Sequence, residues 1–188
     1  MTDIQPVMPR TQAPDLNVAT VGGGSWKLAD SHPQNFTLVV FYRGLHCPIC
    51  RKQLTDLQDK LAEFDKRGVT VIAVSSDDGV RAARTAEDWK LDKLTLGYGL
   101  SLENARQWGL YVSAGRGKTS IGIEEPALFS EPGLFLIKPD NTVYFASVQT
   151  MPFARPQFAE ILGAIDFVLA KDYPARGEIK NLEAARAA

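Results

Sequence analysis

Cys47 and Cys50 are the only cysteines in 188 residues, and they stand three apart in Cys47-Pro-Ile-Cys50. On a helix that spacing brings both sulfurs to one side, close enough to join in a disulfide with little backbone movement. Ahead of them runs Thr37-Leu-Val-Val-Phe-Tyr42, apolar and β-branched like a buried central strand. Behind them Leu54, Leu57, Leu61 and Phe64 recur at helical spacing. The pair therefore sits where a strand hands over to a helix. A helix start carries free N–H groups and the positive end of the dipole, and both favour a thiolate. A free cysteine titrates near about 8.5, whereas Cys-X-X-Cys pairs at helix starts fall to about 3.5–7.5. Arg43, Arg51 and Lys52 add positive charge nearby, and Pro48 removes an N–H where the first turn needs none. This arrangement supports sulfur attack on a disulfide or a peroxide, followed by closure onto the second sulfur.

The rest of the chain supplies the frame. Residues 16–21 and 25–29 flank Gly22-Gly-Gly24 and predict a short hairpin. Strands follow at 36–42, 69–74 and 94–98, the last weakened by Gly97 and Gly99. Helices are expected from Cys47 through Phe64 to a glycine cap at Gly68, from the Ser75-Ser-Asp-Asp78 cap to about Lys90, and over 102–108. Residues 109–131, with several glycines and the basic pair Arg116 and Lys118, predict a long irregular connection. A hairpin over 134–137 and 143–148 turns through Lys138-Pro-Asp-Asn-Thr142, and Phe158, Ile161, Leu162, Ile165 and Leu169 mark a closing helix. The domain is expected over 13–170, with a flexible arm at 1–12 and a polar tail at 171–188. Strand–helix–strand units predict an α/β fold with parallel pairing and helices on both faces of a mixed sheet.

Composition narrows the function classes. With 21 basic against 22 acidic side chains, no nucleic-acid or anionic-membrane surface is indicated. No apolar run approaches the roughly 18 residues a membrane span requires. Residues 1–10 lack the basic region and apolar core of a secretory signal, so a cytoplasmic location is expected, where two neighbouring thiols point to catalysis or metal binding rather than a permanent staple. A zinc site wants about four ligands, and only His32 and His46 offer imidazoles, so no metal and no cofactor is expected. Gly22-Gly-Gly-Ser25 and Gly115-Arg-Gly-Lys-Thr-Ser120 both lack the strand–glycine loop–helix setting of a nucleotide site. Trp26, Trp89 and Trp108 form no stacking stripe and read as packing residues.

Four segments together carry a family likeness: Ala13-Pro-Asp-Leu16, Trp26-Lys-Leu-Ala-Asp30, the strand with Cys47-Pro-Ile-Cys50, and Phe135-Leu-Ile-Lys-Pro-Asp-Asn141. Over roughly residues 13–170 the chain resembles the thioredoxin-like superfamily and, within it, the alkyl hydroperoxide reductase/thiol-specific antioxidant (AhpC/TSA) branch of peroxiredoxin-like proteins. The resemblance implies a thioredoxin-like fold with an N-terminal β-hairpin extension. It also implies a redox enzyme that reduces hydrogen peroxide or organic hydroperoxides and is reset by an external dithiol, such as a thioredoxin or glutathione system. The family pattern places a proline, three residues, a threonine or serine, two residues, then the attacking cysteine. On this chain the pattern puts Arg43 at the proline, Cys47 at the threonine and Cys50 at the cysteine. Where the family has an arginine before the late strand, this chain reads Glu131-Pro-Gly133, and Pro132 instead matches the proline that thioredoxins hold cis beside their dithiol.

The candidate catalytic residues are therefore Cys47, Cys50, Arg43 and Pro132. In a peroxidase, Cys50 attacks and Cys47 resolves. In a protein-disulfide oxidoreductase, Cys47 attacks and Cys50 resolves. His46 is a secondary candidate to tune its neighbour, Tyr42 reaches the site with its hydroxyl at most, and Arg155 ranks last, as a residue that would have to fold back from the start of the closing helix. A non-enzymatic protein switched by dithiol oxidation is the competing class. Association as a homodimer is left open.

Overall fold

The computed structural model describes residues 4–186. Seven strands form one mixed sheet in the order β2-β1-β5-β4-β3-β8-β9. Its centre is β3 (Phe36–Phe41), paired in parallel with β4 (Val69–Val74) and antiparallel with β8 (Gly133–Ile137). Every residue of β3 is buried because both sheet faces are covered, which is why its sequence is apolar without alternation. Phe36, Leu38 and Val40 point into one core with Leu54, Leu57, Phe64 and Ile165; Val39 and Phe41 point into the other with Ile72, Trp108 and Phe135. The period-two pleat of one strand thus serves two layers at once.

The parallel units run from β3 through α1 (Pro48–Asp59) to β4, and from β4 through α3 (Gly79–Trp89) to β5 (Leu96–Tyr98). The helix expected to run unbroken to Phe64 is divided at Lys60, and α2 (Leu61–Asp65) continues beyond it. Lys60 leaves helical backbone at φ −102°, ψ 3°, a redirection that lets Phe64 turn into the core beside Phe158. Gly97 interrupts the apolar pattern of β5 for a steric reason: a Cβ there would lie 2.7 Å from Val18 Cγ2. The hairpin of β1 (Asn17–Thr20) and β2 (Ser25–Lys27) docks on β5 through β1 and so extends the same sheet. Behind β5, α4 (Leu102–Gln107) leads to Trp108, which packs on Phe41 and Phe135.

The 109–131 segment is less irregular than expected. It contains β6 (Val112–Ala114) and β7 (Leu128–Ser130), paired antiparallel as a small separate sheet. From β8 the chain turns into β9 (Val143–Val148) and then α5 (Phe158–Lys171), with a short α6 (Leu182–Arg186) near the end. The N-terminal arm is tied in from Met8 onward, where Arg10 and Thr11 exchange backbone hydrogen bonds with Val143. On the tail, the Tyr173 carbonyl accepts from the Tyr144 hydroxyl and the Ala175 carbonyl from Arg10 Nε. Among the described residues no helix is long and apolar enough to cross a membrane.

Candidate active site

At the end of β3 the chain must leave the sheet, turn and start α1. Gly44 makes the turn at φ +125°, and a Cβ there would lie 2.5 Å from Asp77 Oδ2. Glycine is required on both counts. The buried Asp77 carboxylate holds this corner from the end of β4, accepting from Leu45 N at 2.7 Å and from Arg81 Nε at 2.8 Å. Burial pushes the Asp77 carboxyl up, and those two donors oppose the rise. The sequence marks residues 75–78 only as a helix cap; Asp78 does that, while its neighbour Asp77 turns inward.

The turn places Cys47 at the N-cap of α1, with Pro48 opening the first turn. Cys47 Sγ accepts from Cys50 N at 3.3 Å, so a sulfur fills the position usually held by a side-chain oxygen. Both cysteines are unbonded thiols and both are buried. The Cys50 thiol donates to Cys47, and with the Cys50 N–H, Arg155 and Arg43 this brings Cys47 down to about 6 against the cost of burial. Cys50 moves the other way, pushed well up by its complete burial and by its role as donor to Cys47. The arrangement thus favours the thiolate on Cys47 over one on Cys50.

Arg155, the weakest candidate on sequence, lies closest to the chemistry. Its Nη2 is 3.2 Å from Cys50 Sγ and 3.9 Å from Cys47 Sγ, while Nη1 donates to Gln53 Oε1 on α1. It reaches the sulfurs from the segment between β9 and α5. That segment also walls a cavity of about 350 Å³ with Ile49, Gln53, Phe153 and Phe158. Arg155 lines the cavity and touches both thiols, so it links the buried sulfurs to that cavity. A contact more than 100 residues away in sequence leaves no local signal. Gln53, which orients the guanidinium, reads in sequence only as one more polar residue on the outer face of its helix.

Arg43 is present but not free. Its Nη2 lies 3.4 Å from Glu125 Oε1, its Nε 3.4 Å from Glu131 Oε2, and its guanidinium carbon 4.6 Å from the centre of the Phe129 ring. Its effect on Cys47 is the smallest of those that lower it. His46 is buried, with its ring edge-on to Phe129 and Nδ1 3.4 Å from Arg81 Nη2. Burial first, then Arg43, brings His46 down to about 4, so at neutral pH it is an uncharged packing group. Tyr42 is fully buried, packs on Trp89, and has its hydroxyl pushed up chiefly by burial.

Pro132 departs from the thioredoxin proline it matches in sequence: no peptide bond among the described residues is cis. Its neighbours are both held by backbone pairing. Glu131 N donates to Tyr111 O at 2.7 Å, and Gly133 enters β8 in register with Phe41 and Val148. The Pro132 carbonyl is engaged by Gln149 N at 3.0 Å. Among the described residues no group of three or more His, Cys, Asp and Glu is placed to hold a metal ion.

A mixed sheet between helices, with a dithiol at the first turn after its central strand, defines a thioredoxin-like protein. The family model of the AhpC/TSA family matches residues 9–146, and the chain belongs to that family. It is 27% identical over 155 residues to a 1-Cys peroxiredoxin of Onchocerca volvulus, covering 78% of this chain and 62% of that protein. It is 34% identical over 74 residues to a 1-Cys peroxiredoxin of Medicago truncatula, covering 35% of this chain and 29% of that one. The chain thus spans less than two thirds of the length of either relative. Among solved structures, peroxiredoxin 6 of Arenicola marina superposes with a TM-score of 0.71 at 21% identity, over 88% of this chain and 76% of that chain. Peroxidoxin BcpB of Mycobacterium tuberculosis superposes with a TM-score of 0.65 at 19% identity, over 88% of this chain and 98% of that chain. These structures share the fold.

Proposed function

We propose that the chain is a thiol peroxidase that reduces hydroperoxides with its dithiol, Cys47 attacking and Cys50 resolving. The observation that carries this reading is the N-cap sulfur of Cys47, which receives the Cys50 N–H and faces Arg155. The Cys47 thiolate attacks one oxygen of the O–O bond, becoming a sulfenic acid, and the other oxygen leaves as alkoxide or hydroxide and takes up a proton. Sulfur is oxidised by two electrons and the peroxide is reduced by two. Cys50 then attacks the sulfenic sulfur, a disulfide forms, and water leaves. An external dithiol protein supplies two electrons and two protons to reopen the disulfide. Arg155 favours the first step by holding negative charge at the sulfurs and where the leaving oxygen departs. Family membership supports the peroxide as substrate, and the same thiolate is competent for disulfide exchange.

A second assignment, Cys50 attacking first, draws support from one distance: Arg155 Nη2 is nearer to Cys50 than to Cys47. Single serine variants separate the two. After one equivalent of hydroperoxide, C50S is expected to gain one oxygen at Cys47 by intact mass and peptide mapping, and C47S to remain unoxidised. Oxidation of C47S at Cys50, with none of C50S, reverses the roles. Reversible oxidation of the wild type without turnover, when peroxide and a thioredoxin system are both supplied, would favour a redox-switched binding protein.

A further inference from the structure

Beside the dithiol lies a second cluster, centred on Arg43, whose carboxylates the reaction scheme leaves unused. Arg43 is gripped by Glu125 and Glu131, whose side chains are only 9% and 4% exposed. Glu131 Oε1 accepts from the Ser113 hydroxyl at 2.6 Å, and Glu125 Oε2 accepts from Arg116 N at 2.8 Å. Both carboxylates are thus anchored on the β6–β7 segment and brought to one guanidinium on the β3–α1 corner. Two buried carboxylates on a single cation is an unbalanced arrangement, and burying charge without full compensation is costly. Arg43 Nε and Glu131 Oε2 lie within ion-pair distance, yet neither makes a well-formed hydrogen bond. Packing alone would be served as well by neutral side chains.

We propose that Glu125 is a positioning residue of the dithiol site, setting through Arg43 how much positive charge Cys47 faces. The inference rests on Cys47 being the nucleophile. The groups that act on Cys47 are Cys50 from α1, Arg155 from the β9–α5 segment and Arg43 from its own corner. Behind Arg43 stand the two carboxylates and the uncharged His46; behind His46 is Arg81 of α3, paired with Asp77 from the end of β4. Arg43 is the one cation of this set whose charge is drawn off by two partners. Glu125 holds the guanidinium across Phe129 and offsets part of its field. The charges that lower Cys47 are Arg155 and Arg43, and Glu125 is paired to the second of them.

The test uses the reduced full chain as wild type, E125Q, R43Q, R43K and E125Q/R43Q. Each is alkylated with iodoacetamide across a pH series, the modified sulfur is located by peptide mapping, and the melting temperature is measured alongside. E125Q keeps the shape and one hydrogen bond while removing the charge, so its alkylation midpoint is expected to fall. Below the wild-type midpoint its rate at Cys47 should rise about threefold, which corresponds to a midpoint lower by roughly half a pH unit. R43Q should lower the rate about threefold at the same pH, R43K should restore most of it, and E125Q should have little effect once Arg43 is gone. A purely structural role would change melting temperature without moving the midpoint in opposite directions. Alkylation at Cys47 with an E125Q midpoint unmoved or raised, or with an equal change whether or not Arg43 is present, overturns this inference alone. Alkylation at Cys50 first in every variant overturns the Cys47 assignment and the inference with it.

Discussion

Two helix starts lie side by side in this molecule and are built by the same rule. β3 and β4 are parallel neighbours, and at the same end of the sheet each delivers its chain to a helix, α1 and α3. Both helices are capped by a side chain that accepts from the backbone N–H three residues on. At α3 the cap is Asp78 Oδ1, 2.8 Å from Arg81 N; at α1 it is Cys47 Sγ, 3.3 Å from Cys50 N. The oxygen cap is solvent-exposed, short and strong, and its effect is to hold the helix. The sulfur cap is buried, longer and weaker, but the helix that it caps stabilises its negative charge in return. One geometry caps both helices, and on the proposed function it serves stability at α3 and reactivity at α1; the difference is the atom placed at the cap and the cations gathered round it.

If that contrast is right, changing the cap atom at α1 should separate chemistry from folding. C47S is expected to lose at least about a thousandfold in peroxide reduction. Serine is a better N-cap than cysteine, so its urea midpoint should equal or exceed that of the wild type. A C47S protein that is markedly destabilised would show that the sulfur has a packing role the contrast overlooks. The ionisation of Cys47 gives the next effect. Only the thiolate reacts, so the single-turnover rate should be flat above about pH 6 and fall about tenfold per unit below it. Stopped-flow oxidation of the reduced protein measures this directly, and a profile still rising at pH 8 would mean that the charge does not rest on Cys47.

Arg155 comes third. Removing a cation in contact with both sulfurs, as in R155M, should slow peroxide oxidation by about ten- to a hundredfold near pH 6, with partial recovery in R155K. The corner before the cap should show itself in stability. G44A forces a Cβ against the Asp77 carboxylate at positive φ, and a loss of about 2–4 kcal/mol in urea denaturation is expected. D78A at the other helix should cost only about 1 kcal/mol and leave thiol reactivity unchanged. Equal effects of D78A and C47S on reactivity would erase the distinction between the two caps.

Much of the scaffold was legible along the chain. The unbroken apolar run of β3, the helical spacing after Cys50 and the turn formers at residues 138–142 each encode an element within a few residues, and those elements formed where expected. Where local pattern misled, a long-range contact had overridden it. Lys60 breaks a periodicity that would otherwise run through to Phe64, and glycines and polar residues between 109 and 131 conceal two short strands that pair only with each other. Pro132 carries a sequence likeness to a cis proline, yet its peptide bond is trans, and the sequence encodes no local signal for the isomer.

The chain by itself determined that two thiols meet at a helix start, because a three-residue spacing, a proline in the first turn and an apolar strand are all local properties of the backbone and its side chains. It did not determine which thiol is the more acidic. Cys47 and Cys50 are the same residue type in the same turn of chain, and what distinguishes them is cap position, burial and which thiol donates to the other, while Arg155, arriving from a segment remote in sequence, lowers both. Nor could it show that Arg43 would be held by Glu125 and Glu131, since charge acts through space and only folding sets those distances.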